Sequence, residues 1–100
     1  QMYNYRAKVR RVVDGDTVDF EVDLGFHMYA KIRTRLIEVD TPERGEEDFH
    51  KATAMLEDLL SQQADDEGWL TITTGKTGKY GRWLVTISGV NDVLAEIWPY

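Results

Sequence analysis

Apolar and polar residues alternate along the first third of the chain. Val18, Phe20, Val22 and Leu24 fall on one side of segment 17–24, and acidic or hydroxyl side chains fall on the other. A period of two is typical of a half-buried strand. The same alternation runs over 5–13 and again from position 28 to 36, so the sequence predicts three successive strands. A turn at 14–16, with an Asp-Gly pair, joins the first two as a hairpin.

The third predicted strand changes phase near its end. Leu36 and Ile37 are adjacent apolar residues, and from there Ile37 and Val39 carry the alternation. A slip of this kind indicates a β-bulge, which bends a strand locally. Pro42 then ends the strand, because proline has no N–H to donate to a sheet.

The apolar period changes after Pro42. Residues 46–63 predict an amphipathic helix, because their apolar positions recur at intervals of three and four. Alternation returns over 69–74 and 82–87, where Trp83 is placed in the core, and Asn91 or Asp92 is predicted to cap a short last helix. The predicted fold class is mainly β: a five-stranded Greek-key OB-fold barrel, with one main helix inserted between strands 3 and 4 and a short C-terminal helix.

Length and composition limit the alternatives. One hundred residues with no linker predict a single domain over 1–100, with Gln1 interpreted as a cloning remnant ahead of Met2. No apolar run approaches the roughly 20 residues that span a bilayer, and no signal peptide is visible, so we expect a soluble protein without a membrane partner, either cytoplasmic or secreted after processing. The absence of Cys excludes disulfides and thiolate metal sites. No dimer signal is visible, so a monomer is expected.

The net charge of −6 argues at first against a nucleic-acid partner. The acids are concentrated, however: residues 43–67 carry nine acids and two bases, and the rest of the chain carries nine acids and ten bases. The bases outside the acidic segment are enough for a positive face if they lie on one side of the molecule. Cross-strand pairing with acids of the second strand is the alternative for those of the first strand.

Three acids become neighbours if the predicted barrel forms. Asp16 begins the second strand, and Asp40 and Glu43 follow the third, so the barrel allows the three carboxylates to lie side by side. Like charges about 4 Å apart repel by roughly 4 kcal/mol at an effective dielectric near 20, so such a group needs a cation. The available ligands are oxygens, including the hydroxyl or carbonyl of Thr41, which favours Ca²⁺ or Mg²⁺ over Zn²⁺.

Each of these residues also has a purely structural interpretation. Asp16 is a turn former and Glu43 a helix-entry acid when they are considered alone. Arg35 and Arg82 are then exposed strand ends, and the pair Lys79-Tyr80 belongs to a glycine-rich loop. Their combination favours a functional interpretation, because residues 12–18, 35–43 and 78–82 carry all of these groups in this order.

These three segments resemble the staphylococcal nuclease-like (thermonuclease) family over about residues 8–91. The resemblance implies an OB-fold nuclease domain, a hydrolase that uses Ca²⁺, in preference to Mg²⁺, to cleave phosphodiester bonds of DNA or RNA. Water attacks phosphorus and the 5′ oxygen leaves, which gives 3′-phosphate ends. The expected partner is therefore DNA or RNA, single-stranded or flexible.

The resemblance also implies a role for each matching residue. The metal ligands are Asp16, Asp40 and Thr41; the catalytic residues are Arg35, Glu43 and Arg82; the substrate-binding residues are Lys79, Tyr80 and Tyr100. Glu43 matches the acid that orients or deprotonates the attacking water, and the two arginines match those that grip the scissile phosphate. Tyr100 is interpreted as a replacement for one of the family's nucleotide-packing tyrosines.

The sequence departs from the family after Glu43. The connection to the helix is shorter and less basic than is familiar in the family, and we expect the family's C-terminal helical extension to be missing. The alternative function is a catalytically weak or inactive OB-fold module that binds single-stranded nucleic acid or a protein partner.

Overall fold

A computed structural model of the chain describes residues 3–77 and 82–100. Five strands and two helices follow one another as β1 (Tyr3–Asp14), β2 (Thr17–Asp23), β3 (Tyr29–Leu36), α1 (Phe49–Gln63), β4 (Trp69–Thr77), β5 (Trp83–Thr86) and α2 (Asn91–Ile97). The strands close a barrel in the order β1-β2-β3-β5-β4. Within the described residues, β3 and β5 pair in parallel and the other neighbouring strands pair antiparallel. The predicted fold class, with its two helices in the predicted places, is therefore confirmed.

The inward residues of the alternating strands form the core. They are mostly β-branched or aromatic, and two leucines of α1 also contribute to the core. Together these residues are Val18, Phe20, Val22, Leu36, Leu56, Leu60, Leu70, Ile72, Val85 and Ile87. The helix presents its buried side chains at intervals of three and four, and Leu56 and Leu60 pack in the core. Within the described residues, neither helix is long and apolar enough to cross a membrane.

Three local predictions were wrong. The strand β3 ends at Leu36 without a bulge, and a turn with Glu38 at φ 64° shifts the phase instead. The main helix begins at Phe49, after turns that contain the acids predicted for its first residues. Trp83 is the first residue of β5 and lines a surface cavity with Tyr3 and Leu24, and it is 41% exposed.

Asn91 has a different role from the predicted helix cap. Val90 is the N-cap residue of α2. The buried Asn91 side chain instead forms hydrogen bonds with three backbone groups. Its Oδ1 accepts from Ile87 N–H at 2.8 Å, and its Nδ2 donates to the carbonyls of Ile37 at 3.0 Å and Val85 at 3.1 Å. One side chain therefore joins α2 to β5 and to the turn after β3.

The substitution Asn91→Ala is expected to lower the free energy of unfolding by about 2 to 3 kcal/mol, because the Ile87 N–H loses its acceptor and the carbonyls of Ile37 and Val85 each lose a donor. Urea denaturation measures the change, with Glu96→Ala on the exposed side of α2 as the matched control, expected to stay within about 0.5 kcal/mol of the parent. Equal losses in the two variants would contradict this role of Asn91.

Candidate functional site

The turn between β1 and β2 places Asp16 inside the protein. Asp16 is 8% exposed, and its N–H donates to Asp14 Oδ1 at 3.0 Å, which fixes the turn. A Cβ on Gly15 would lie 2.7 Å from Thr41 Oγ1 and 2.8 Å from the Ala52 side chain. Glycine is therefore required at this position, because the turn packs directly against α1 and the segment that follows β3.

Backbone and side-chain hydrogen bonds tie this turn to the end of β3. The Asp16 carbonyl accepts from Leu36 N–H at 2.8 Å, and Asp16 Oδ2 accepts from Thr41 N–H at 3.3 Å. Asp16 Oδ1 accepts from the Thr17 hydroxyl at 3.0 Å. Thr41 is itself buried, and its Oγ1 has no hydrogen-bond partner within residues 3–77 and 82–100.

Arg35 lies between two of the predicted metal-ligating carboxylates. Its Nη2 is 3.6 Å from Asp16 Oδ2 and 3.7 Å from Asp40 Oδ1, and it donates to the Val39 carbonyl at 3.4 Å. The Asp16 side chain is largely buried, while the Asp40 side chain is 60% exposed and faces solvent. We call the group formed by Asp16, Arg35, Asp40 and Thr41 the rim.

Burial is the main cause that raises the pKa of Asp16 to about 6, and the neighbouring Asp14 carboxylate adds to it. The Arg35 guanidinium and the Thr17 hydroxyl oppose this rise. The charged form of Asp16 is therefore costly within the fold, and the Arg35 cation offsets only part of that cost.

The C-terminal segment supports the outer part of the rim. Asp40 N–H donates to the Trp98 carbonyl at 3.0 Å, and Tyr100 N–H donates to the Glu38 carbonyl at 3.2 Å, on either side of a bridge between Val39 and Pro99. The Tyr100 ring, which is 85% exposed, lies 5.5 Å from the Arg35 guanidinium carbon.

The remaining predicted site residues lie at or beyond the edge of the rim. Glu43 is exposed, its N–H donates to Glu46 Oε1 at 2.7 Å, and its side chain lines a shallow surface pocket with Asp40 and Trp98. Arg82 immediately precedes β5, in which Leu84 is the register partner of Arg35. Lys79 and Tyr80 lie outside the described residues.

Two features of the rim escaped the sequence analysis. Asp14 was interpreted only as a turn former, although it lies close enough to raise the pKa of Asp16. The pairing of Trp98 and Tyr100 with the segment after β3 had no sequence signal, because a two-residue bridge leaves no periodicity. In the described part of the chain, no three acidic or histidine side chains come close enough together to hold a metal ion.

Two curated proteins are similar to most of the length of this chain. No protein-family model matches the chain. Micrococcal nuclease of Shigella flexneri is 33% identical over 81 residues, which are 81% of this chain and 41% of that protein. Protein ParB of Escherichia coli is 31% identical over 94 residues, or 94% of this chain and 47% of that protein. The chain spans less than half the length of these curated relatives.

The closed five-stranded barrel with its two helices defines the class, which is an OB-fold domain. Together with the similarity to micrococcal nuclease, this barrel fits a staphylococcal nuclease-like OB-fold domain.

The raised pKa of Asp16 predicts a pH-dependent stability. The folded state keeps a proton on Asp16 that the unfolded state releases near its ordinary pKa of 3.8. The contribution of Asp16 to the free energy of unfolding therefore falls by up to about 3 kcal/mol as the pH rises from about 4 to about 6, and it is constant above that range.

Asp16→Asn is expected to remove this decrease. The difference in free energy of unfolding between the variant and the parent, measured by urea denaturation in a chelator, should grow in favour of the variant between about pH 4 and pH 6. A difference that stays constant over this range would show that Asp16 titrates normally. Carboxyl-carbon NMR of the parent gives an independent midpoint.

Proposed function

We propose that the chain is a nuclease domain that hydrolyses phosphodiester bonds of DNA or RNA with Ca²⁺. The observation that carries the proposal is the position of Arg35 Nη2 between the Asp16 and Asp40 carboxylates, at 3.6 and 3.7 Å. A phosphodiester needs both a cation and a planar donor near its oxygens, and the rim combines the groups that supply them. The similarity to a protein named micrococcal nuclease supports the same function.

The rim fits a hard divalent cation by its donor atoms. Asp16 and Asp40 offer carboxylate oxygens, and the buried Thr41 Oγ1 has no hydrogen-bond partner among the described residues. Oxygen ligands of this kind suit Ca²⁺, which accepts a mixed shell of carboxylates, hydroxyls or carbonyls, and waters. When bound, the cation would neutralise phosphate charge and lower the pKa of a coordinated water.

The side chains of this chain would then divide the remaining work. Arg35, and Arg82 beside the parallel strand β5, would donate hydrogen bonds to the phosphate oxygens as negative charge builds on them. Glu43 would take a proton from the attacking water, since its exposed carboxylate stands at the solvent edge of the rim. The bond from phosphorus to the 5′ oxygen would break, that oxygen would take a proton from solvent as it leaves, and the product would end in a 3′ phosphate. Lys79 and Tyr80 would contact a substrate phosphate, and Tyr100 would pack on the nucleotide.

One observation favours the alternative, an OB-fold module that binds nucleic acid or protein without cleaving. No three-acid group forms in the described residues, and Glu43 is held through its backbone by Glu46 without a contact to Asp16. A water or the substrate must then bridge Glu43 to the reaction centre if the domain is a nuclease.

Cleavage assays separate the two functions. Single-stranded DNA and RNA are incubated with the protein in Ca²⁺, in Mg²⁺ and in a chelator, and the products are analysed for 3′ phosphates. We expect cleavage in Ca²⁺ only. Glu43→Gln should reduce the rate by about 10² to 10⁴ with an unchanged unfolding curve, whereas Glu96→Gln, an exposed acid of α2, should leave it unchanged. Binding without cleavage under all conditions would support the alternative.

Arg35→Lys tests the guanidinium separately from its charge. Lysine keeps the positive charge but cannot present two parallel donors, so the rate is expected to fall by roughly 10²-fold. Arg44→Lys is the matched control, because its guanidinium lies over the Phe49 ring at 5.1 Å, on the turn that follows the rim. Equal rates for the two variants would mean that Arg35 supplies only charge.

A further inference from the structure

Five cations lie together on the outer side of β1 and β3, outside the rim. We define the basic face by these residues: Lys8, Arg10, Arg11, Lys31 and Arg33. The strand registers place them in two rows across β2, one in which Lys8 and Lys31 flank Glu21 and one in which Arg11 and Arg33 flank Asp19. Each row has two cations and one acid, so each keeps a net positive charge.

An irregularity in β1 adds a fifth cation between these rows. The register passes from Val9 opposite Phe20 directly to Arg11 opposite Asp19, so Arg10 is an extra residue at a shift in the strand pairing. Arg10 lines two neighbouring surface depressions, one of about 450 Å³ toward α1 and one of about 260 Å³ toward β3. The irregularity therefore leaves Arg10 at the border of both depressions.

Most cations of the basic face are not neutralised by ion pairs. Arg33 pairs with Asp19 at 2.8 Å. Within residues 3–77 and 82–100, the other four cations of the basic face form no ion pair. Arg33, by its hydrogen bond and charge, and Arg11 and Arg10, by their charges, lower the pKa of Asp19, as expected for cations on the same side of the sheet. A chain with a net charge of −6 thus has one face with an excess of positive charge.

The basic face leads to the rim at one end. Lys31, Arg33 and Arg35 occupy alternate positions of β3, so their side chains leave the same side of the strand at intervals of about 6.6 Å. That interval is comparable to the length of one extended nucleotide. A chain of phosphates could therefore run from the rim along β3.

Two aromatic rings lie at the other end. Tyr29, exposed and two residues before Lys31, packs against Trp69 at 6.1 Å between ring centroids, and Lys8 Nζ lies 5.7 Å from the Trp69 ring. Proteins that bind single-stranded nucleic acids combine aromatic rings with neighbouring cations, because the bases stack on the rings while the phosphates contact the cations.

We propose that the basic face binds the sugar-phosphate backbone of a single strand of DNA or RNA that extends from the rim, with a base stacked on Tyr29. This inference rests on the proposed function, because it gives the nuclease a track for substrate outside the cleaved bond. It also sets the preferred substrate: a strand long enough to reach from the rim to Tyr29.

Binding tests the track without cleavage. The affinity for a labelled single-stranded oligonucleotide is measured by fluorescence anisotropy in a chelator at several salt concentrations. The double variant Arg10→Gln/Lys31→Gln should bind more weakly, and its slope of log affinity against log salt should fall in magnitude by about 0.7 for each lost phosphate contact. Lys51→Gln, an exposed cation of α1, is the matched control and should bind like the parent.

The aromatic end has its own test. Tyr29→Ala should weaken binding of an oligothymidylate by about fivefold or more and leave binding of an abasic oligonucleotide unchanged. Equal losses for both oligonucleotides would overturn the stacking role.

Cleavage assays distinguish failure of the track from failure of the proposed function. The double variant should cleave a dinucleotide like the parent and a long strand more slowly, because only the long strand reaches the basic face. Parent-like binding and cleavage of the long strand would overturn the track. Weakened binding in a protein that cleaves nothing would support the track and overturn the nuclease. Equal competition by polyglutamate would show a general surface for anions and overturn the assignment to nucleic acid.

Discussion

The buried turn at Asp16 is the constraint on which the rim depends. Its carbonyl holds Leu36 at the end of β3, its carboxylate holds Thr41, and Gly15 lets it pack against α1. This position makes the Asp16 charge costly, and the Arg35 guanidinium at 3.6 Å relieves only part of the cost. A buried carboxylate that is incompletely compensated attracts a further cation. The same packing that stabilises the barrel corner thus underlies the cation site that we propose.

A second set of contacts fixes the segment after β3, which lies opposite this turn. The residues after β3 leave the barrel through a left-handed Glu38, a conformation that a non-glycine residue keeps only when its surroundings enforce it. Asn91 holds Ile37 from inside, and the segment from Trp98 to Tyr100 pairs with the backbone from outside. Arg35 and Asp40 therefore meet because α2 and the residues after it hold the turn between them. Tyr100 is in this respect part of the support for Arg35 as well as a candidate contact for a nucleotide.

The sequence was informative wherever a period could be counted. Alternation at Val18, Phe20 and Val22 predicted β2, and the spacing of Phe49, Ala52 and Leu56 predicted α1, because these residues face one core. The same reasoning gave a bulge at Leu36-Ile37, since a phase slip does not distinguish an extra residue in a strand from a turn that ends it. Within the rim, residue types predicted which groups carry the chemistry. They could not show that Arg35 bridges two acids, because that depends on distances between segments far apart in the chain. Nor could they show that Asp14 raises the pKa of Asp16, because that depends on the conformation of the turn.

Charge is the property for which sequence totals are least informative here. A net charge of −6 suggests a protein that repels polyanions, but electrostatic attraction at short range depends on the local surface, since salt screens charges farther away than about 8 to 10 Å. Cross-strand pairing with β2, the alternative interpretation of the basic residues in β1, accounts for none of the described ion pairs, because the one on the basic face joins Arg33 of β3 to Asp19. The acids of β2 reduce the charge of the rows without cancelling it, because each acid lies between two cations and the irregularity in β1 adds Arg10. A sheet that alternates cation, acid and cation across its strands can therefore keep an attractive track for phosphates in a protein that is acidic as a whole.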